Sequence, residues 1–297
     1  MASKKLKASE KSAIVSKLVT RLKKRYGSKA PSPDRSVLET YIYAACLEDA
    51  TDEQAEAAYA TLLDEFHDLN EIRVSLISEI ERTLETLSEP AYRARRIREG
   101  LYYVFEHEEN FAFDLESLKK KTQDSASGEL AGIPHCSPFM RLYTLNQGLG
   151  AHVFPLDTNQ LALLKWIGLV EQETKIEDAA DEMKSAVRKA DVPLTAFLLR
   201  QASSEPKVLE QTLDQTNDEA DDIAVDKRAA MVDDLIDGKS KPKTKKPVKA
   251  APAKAAKKTA KKKAPAKKAA PAAKAAPKTA AKAKKATKKA AKKTAKK

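Results

Sequence analysis

The last 59 residues of this 297-residue chain cannot form a packed core. Residues 239–297 contain 25 lysines, no acidic residue and otherwise almost only alanine, proline and threonine. With no aromatic residue and a single branched apolar residue, Val248, burial cannot offset the entropy of ordering the backbone. Alanine and lysine favour helix, whereas the prolines interrupt it. The sequence therefore predicts a disordered polycationic tail that forms transient helical segments on a polyanion.

The lysine-rich tail predicts nucleic acid as a partner, because lysines that neutralise phosphates release counterions and bind without sequence preference. Its composition resembles the tails of linker histones and of the lysine- and alanine-rich bacterial proteins that mimic them. Both DNA and RNA present phosphates, so the tail does not distinguish them. The candidate phosphate contacts are Lys257, Lys258, Lys261, Lys262, Lys263, Lys267 and Lys268.

Charge divides the rest of the chain into three further segments, although the net charge of the whole is +12. Residues 1–29 hold ten basic residues and one acidic residue, and we predict a basic arm with a helix over 7–25. Residues 30–205 hold 17 basic and 32 acidic residues and form the predicted body. Residues 206–238, with three basic and ten acidic residues, are predicted to be an acidic linker with one short helix. The acidic segments either keep the chain solvated or contact the basic tail.

The body is predicted to be all-α. Apolar residues recur at spacings of three and four, which is the period of a helix buried on one face. Asp52 and Ser137 each precede such a run, as N-cap residues do. There is no alternating strand pattern and no glycine-rich phosphate loop, and about 170 residues can bury one core. The predicted helical runs are 37–47, 55–66, 72–87, 97–105, 139–145, 161–170, 183–187 and 194–199.

The same sequence predicts no metal, no iron–sulfur cluster and no membrane segment. Two cysteines, Cys46 and Cys136, are too few for a four-thiolate cluster. The four histidines have no metal-ligand spacing, and no apolar run approaches the roughly 18 residues that span a bilayer. The N-terminus lacks the apolar core of a signal peptide. These features predict a cytoplasmic protein associated with the chromosome or nucleoid.

A candidate DNA-binding turn lies at residues 130–138, LAGIPHCSP, between two helical runs. A Leu-x-Gly-Ile turn in this position is typical of a helix-hairpin-helix, in which backbone N–H groups point at a DNA phosphate. The glycine would allow a close approach and a left-handed turn. The candidate contacts of this hairpin are Gly132, Ile133, Pro134 and His135.

Three further segments resemble the endonuclease III-like helix-hairpin-helix DNA glycosylases. Gly150 and the following AHVFPLDTNQLALLKWIGLVE resemble the loop and helix after the hairpin in that family. SVLETYIYAACLEDATDEQAEAAYATL resembles its first two core helices, and AYRARRIREGLYYVFE resembles the basic helix before the hairpin. The order and spacing match over residues 35–201. The resemblance implies an all-α helix-hairpin-helix glycosylase fold.

The resemblance also implies a role for Asp157, which matches the family's aspartate that assists departure of a flipped-out damaged base. The alternative is that Asp157 only caps a helix, and one residue can do both. Basic side chains beside the hairpin are either DNA contacts or a solvated helix face. They are Arg93, Arg95, Arg96 and Arg98, with Lys119, Lys120 and Lys121 as a second patch.

Several positions depart from the family pattern. The lysine of bifunctional members falls on Cys136 by direct alignment, or on Phe139 by spacing back from Gly150, so no Schiff base is expected. Pro134 replaces the hairpin's second glycine, and Asp49 stands where the family inserts a polar amide into DNA. Two hypotheses follow. The favoured one is a DNA-binding protein with a glycosylase-like body, and the other is a monofunctional base-excision-repair glycosylase that uses Asp157.

Overall fold

The computed structural model describes residues 6–32, 34–107, 112–213, 217 and 223–239. These residues form thirteen α-helices, with short 3-10 segments at Glu116–Lys120 and Lys189–Asp191 and a π-turn at Thr144–Gly148. The helices are α1 (Ala8–Tyr26), α2 (Val37–Leu47), α3 (Asp52–Glu65), α4 (Leu69–Val74), α5 (Ile77–Thr83), α6 (Pro90–His107), α7 (Gln123–Gly132), α8 (Pro138–Tyr143), α9 (Thr158–Trp166), α10 (Ile176–Ala186), α11 (Val192–Ser203), α12 (Pro206–Thr212) and α13 (Val225–Ile236). Within these ranges there is no strand, so the predicted all-α class is confirmed there.

Helix α2 is the centre of a first lobe that contains α2 to α8. It begins at a capping box, in which the Ser36 N–H donates to the Glu39 carboxylate at 2.7 Å and the Ser36 hydroxyl accepts from the Glu39 N–H at 3.2 Å. Ten of its eleven residues are buried. A Cβ placed on Gly100 would lie 2.9 Å from the Tyr41 ring, so the glycine lets α6 cross α2 closely.

Helix α1 belongs to a second lobe, which also contains α9 to α13. The side chains of Ile14, Leu18 and Leu22 lie three to four residues apart and are fully buried. They pack against α10, α11 and α13. The predicted basic helix is therefore present, but it is part of the core of this lobe and not a separate arm.

Helix α13 lies within the predicted acidic linker but is packed into the second lobe. Val232 and Leu235 are fully buried in the second lobe. On its polar side, Asp233 accepts from Arg21 of α1 at 2.6 Å and Asp237 accepts from Arg25 at 3.1 Å. The predicted linker thus contains two packed helices, α12 and α13, and the apolar face of α13 packs against α1 from the other end of the chain.

Two local expectations differ from the structure. The predicted helix over 72–87 is two helices, since the backbone is extended at Ser75, between α4 and α5. The N-cap of α3 is Thr51, whose hydroxyl accepts from the Gln54 N–H at 3.1 Å, and Asp52 is the first helical residue. The Ser137 N-cap is confirmed by its contact with the Met140 N–H at 3.1 Å.

In the part of the chain that the structure describes, no helix is long and apolar enough to cross a bilayer.

Candidate nucleic-acid interface

The predicted hairpin joins α7 to α8. Gly132 ends α7, Ile133 is buried, and Pro134 and His135 are exposed. The left-handed residue is His135, with φ of 59°, and not the glycine as predicted. A Cβ on Gly132 would lie 3.2 Å from the Tyr103 hydroxyl, so this glycine makes room for a neighbouring side chain. The structure therefore presents Pro134 and His135 at the tip of the turn.

His135 is held in place by helix α6. Its Nε2 lies 2.8 Å from the Glu99 carboxylate. The edge of its ring packs against Tyr92 at a centroid distance of 6.2 Å. The exposed hairpin tip is thus fixed to α6, and a carboxylate stands directly behind it.

Arg93, predicted as a DNA contact, instead caps the end of α2. The last carbonyl groups of a helix lack partners within the helix. The buried Arg93 guanidinium donates to the carbonyls of Ala45, Cys46 and Glu48 at 2.7, 3.2 and 2.6 Å. It also donates to the carbonyl of Ser88 at 2.6 Å. All of these contacts are internal, which argues against a contact between Arg93 and phosphate.

Arg96 and Arg98 are also engaged within the protein, whereas Arg95 is exposed. Arg96 pairs with the buried Glu48, which in turn accepts from the Ser137 hydroxyl at 2.9 Å. Arg98 donates to the Ser75 carbonyl at 2.8 Å. Arg95 has about half of its side chain exposed and lies 3.9 Å from Glu99. Of the four predicted arginines, Arg95 is therefore the best placed to reach phosphate.

The second predicted basic patch lies on the surface of the first lobe. Lys119, Lys120 and Lys121 are all exposed. Lys119 pairs with Glu116, and Lys121 lies 2.6 Å from Glu129. Lys120 has no ion pair with the described residues. The predicted tail contacts from Lys257 to Lys268 lie outside the described residues.

Asp157 caps helix α9 and is almost fully buried, with 1% of its surface exposed. Its Oδ1 accepts from the Gln160 N–H at 2.7 Å, while the Gln160 side chain accepts from the Asp157 N–H at 3.0 Å. Its Oδ2 has no hydrogen-bond partner among the described residues. Burial, followed by the charge of nearby Asp49, raises the pKa of Asp157 to about 7. The carboxyl group is therefore a cap that also retains an unused oxygen.

Asp49 lies beside Asp157 at the start of the same helix. Its Oδ1 accepts from the Asn159 N–H at 3.1 Å, so the positive end of the helix dipole holds both carboxyl groups. Asp49 has a φ of 54°, in the left-handed region that non-glycine residues rarely adopt. Glu89 and His135, with φ of 50° and 59°, are the other non-glycine residues of this kind among those described. Such backbone strain clusters at functional sites.

A cleft of about 620 Å³ lies between the two lobes on this side of the protein. Three carboxylate residues, Glu48, Asp49 and Glu89, and two arginines, Arg93 and Arg96, line it, together with Tyr92 and the aliphatic side chains Leu209 and Leu213. Asp157 does not line the cleft, although its neighbour Thr158 does. Glu48 is buried and paired with Arg96, whereas Asp49 and Glu89 have no ion pair among the described residues. With three carboxylates against two guanidinium groups, the cleft is not the basic surface that a DNA strand favours.

No family model and no curated protein matches the sequence. A solved non-covalent complex of endonuclease III with DNA matches 64% of this chain and 84% of its own, at 14% identity and a TM-score of 0.50. A thermostable thymine-DNA glycosylase matches 69% of this chain and 93% of its own, at 13% identity and a TM-score of 0.50. The chain has the endonuclease III fold.

Cys136 and Phe139 are the two candidates for the position at which bifunctional glycosylases carry a lysine. Neither side chain has an amino group. Burial raises the pKa of the Cys136 thiol to about 11, so it is protonated at neutral pH. Phe139 is a fully buried core residue. Among the described residues there is no group of three or more histidine, cysteine or acidic side chains arranged to hold a metal ion.

The sequence did not predict three buried polar contacts of this chain. Glu48 pairs with Arg96 and accepts from the Ser137 hydroxyl, and Arg200 pairs with Asp52 at 2.9 Å. No local pattern marks these contacts, because the partners lie 48, 89 and 148 residues apart. The only sequence signal of such a buried contact is a charged residue within an apolar stretch, such as Arg200 after Leu198 and Leu199.

Asp157→Asn is expected to stabilise the folded protein at pH 8. The folded pKa is about 7, whereas an aspartate in the unfolded chain titrates near 3.9. Between these values the folded state binds more protons, so the stability that this group contributes falls as the pH rises through that window. An asparagine carries no buried charge and is still a good N-cap. We expect a gain on the order of 4 kcal/mol at pH 8 and about 1–2 kcal/mol at pH 5.

Urea unfolding of both proteins at the two pH values measures this difference. Asp157→Ala is the control, because it removes the cap as well as the charge and should lose about 1 kcal/mol relative to the asparagine variant. If the asparagine variant is less stable than the wild type at pH 8, the buried Asp157 carboxylate does not lower the free energy of unfolding, and the prediction is wrong.

Proposed function

We propose that this protein binds duplex DNA through its polycationic tail and carries an endonuclease III-like body on that DNA. The observation that carries the proposal is the charge of residues 239–297, with 25 lysines and no acidic residue. Such a segment binds phosphates without reading sequence. A DNA-binding function agrees with the predicted association with the nucleoid. The predicted contact between the tail and the acidic body involves residues outside the described ranges and stays a prediction.

The fold supports DNA as the partner. Endonuclease III was solved in complex with DNA, and the other matching protein is a thymine-DNA glycosylase. The hairpin tip of this chain exposes Pro134 and His135 on the first lobe. Duplex RNA also presents phosphates, so competition between DNA and RNA duplexes of equal length tests the choice of partner.

The surface around the hairpin and the cleft offers little to a phosphate backbone. Three of the four arginines predicted beside the hairpin make internal contacts, and three carboxylates line the cleft against two arginines. Residues 30–205 carry an excess of acidic over basic residues, 32 against 17. A face that binds duplex DNA is normally basic. The affinity for DNA is therefore assigned mainly to the tail.

A second candidate function, base excision by Asp157, is favoured by one observation. The Asp157 Oδ2 atom is buried without a partner, and the pKa near 7 leaves both protonation states populated at neutral pH. A carboxylate here could stabilise positive charge on the sugar while water adds to C1′ and the base departs with a proton. Because Asp157 is 1% exposed, a flipped base could reach this oxygen only if the residues that cover it moved.

An excision assay decides between these two functions. Wild type, Asp157→Asn and the surface control Asp178→Asn are incubated with a panel of damaged and mismatched duplexes, and alkali-cleaved strands are counted. The DNA-binding proposal expects no excision by any of the three proteins, alongside binding that weakens steeply with salt. Excision by the wild type and Asp178→Asn that disappears in Asp157→Asn would replace it with the glycosylase function.

A further inference from the structure

Helix α1 has a basic face that its packing leaves uncovered. Its apolar side faces the second lobe, while Lys17, Lys23 and Lys24 are exposed on the other side. In the described part of the chain none of these three lysines forms an ion pair, whereas Arg21 and Arg25 are paired with α13. The helix therefore displays three uncompensated positive charges within two turns.

Two more cations lie beside these lysines. A groove of about 350 Å³ is lined by Lys23 of α1 and by Arg188, and the neighbouring Lys189 is exposed as well. Asp191 lines this groove, and Asp226 and Asp233 line the groove on the other side of α1, where Asp233 is paired with Arg21. We call Lys17, Lys23, Lys24, Arg188 and Lys189 the basic ridge. Its five positive charges outnumber these three carboxylates.

The basic ridge and the hairpin belong to different lobes. The hairpin lies in the first lobe, and helix α10 of the second lobe stands between them. At one end of α10, Glu177 pairs with Arg141 of α8, next to the hairpin. Near its other end, Glu182 pairs with Lys11 of α1. A duplex held along the basic ridge would therefore contact a different part of the protein from one that approaches the hairpin.

We propose that the basic ridge binds the phosphate backbone of a second DNA duplex, so that one chain can hold two duplex segments. This inference rests on the proposed DNA-binding function. Lys17 and Lys24 are about 10 Å apart along the helix axis, the length over which one DNA strand presents about three phosphates. The apolar residues Ile14, Leu18 and Leu22 all face inward, so α1 has no exposed apolar face with which to enter a lipid bilayer.

A two-duplex capture assay with the full chain tests this proposal. One duplex is immobilised, the protein is bound to it, and retention of a second, fluorescent duplex is measured over a series of salt concentrations. The test variant is Lys17→Glu with Lys24→Glu. The matched control is Lys165→Glu with Lys175→Glu, which makes the same change in charge on the second lobe outside the basic ridge. Circular dichroism confirms that both variants remain folded.

The test variant is expected to retain the second duplex at least about tenfold less than the control, because each lysine–phosphate contact contributes nearly tenfold at 0.1 M salt. The salt slope of retention should fall by about two. Equal retention by the two variants would overturn the proposal. So would ridge-dependent capture of duplex RNA or of phosphatidylserine vesicles in place of DNA. Failure of the wild type to bind the first duplex would refute the DNA-binding function instead.

Discussion

Removal of residues 239–297 is expected to lower the affinity for duplex DNA at least about 1000-fold at 0.1 M salt while the body stays folded. Each lysine that neutralises a phosphate contributes through counterion release, and ten engaged lysines would exceed this figure. The described core lies entirely between Ile14 and Ile236, so the truncation removes none of it. Fluorescence anisotropy with a labelled duplex measures the affinity, and thermal unfolding followed by circular dichroism measures the stability.

A tail of the same length but lower charge is the matched control for this truncation. The seven candidate lysines from Lys257 to Lys268 are replaced by glutamine. The slope of log affinity against log salt should then fall by up to about six, because each lost phosphate contact removes about 0.9. If the truncated chain binds DNA as tightly as the full chain, the DNA-binding surface lies on the body and not on the tail. A truncated chain that does not fold would contradict the assignment of the core.

Arg93→Met is expected to reduce the free energy of unfolding by about 5 kcal/mol, since each buried carbonyl left without a donor costs about 1–3 kcal/mol. Arg93 donates to the carbonyls at the end of α2 and to the Ser88 carbonyl. Methionine is of similar length but donates nothing. Equilibrium urea unfolding measures the effect. This large loss of stability is what distinguishes a helix-capping arginine from a DNA-contacting one.

Arg95→Met is the control for the arginine test, because it lies two residues away on the same helix with about half of its side chain exposed. Its effect on stability should be within about 0.5 kcal/mol. If the face beside the hairpin touches DNA, the salt slope of binding should fall by about one in Arg95→Met. Equal stability of the two variants would refute the internal role of Arg93.

The elements with strong local signals could be predicted from the sequence. Helix α2 has the predicted bounds, because a capping box and a dense apolar run fix both of its ends. The hairpin between α7 and α8 was also located, although its left-handed residue is His135. The helix over 72–87 was predicted as one element. Its interruption involves the Ser75 carbonyl, which accepts from Arg98 of another helix, and no local pattern indicates such a contact.

The partners of α1 and α13 could not be predicted, because they lie more than 200 residues apart. The spacing of Ala229, Val232 and Leu235 was a helical signal in the predicted linker, but the surrounding acidic residues favoured a solvated segment. The net charge of a segment gives its composition but does not show whether one face of its helix is buried. A narrow apolar stripe on an acidic helix is enough to bury it when a basic helix such as α1 is available.

The role of Asp157 in capping was predicted from its place before a helix, and the structure places it there. Its degree of burial was not predictable, since it depends on Asp49, Gln160 and the packing of the second lobe. In the same way, Asp49 was predicted to stand where the glycosylase family inserts a polar amide into DNA. In the structure it lines the cleft, but its carboxylate also binds the first turn of α9.

The salt dependence of DNA binding by the full chain tests the central claim most directly. If about ten tail lysines engage phosphates, the slope of log affinity against log salt is near −9, and doubling the salt lowers the affinity about 500-fold. The slope should be the same for duplexes of unrelated sequence. A slope shallower than about −2, with affinity that depends on one lesion or one sequence, would show that the body and not the tail provides the binding.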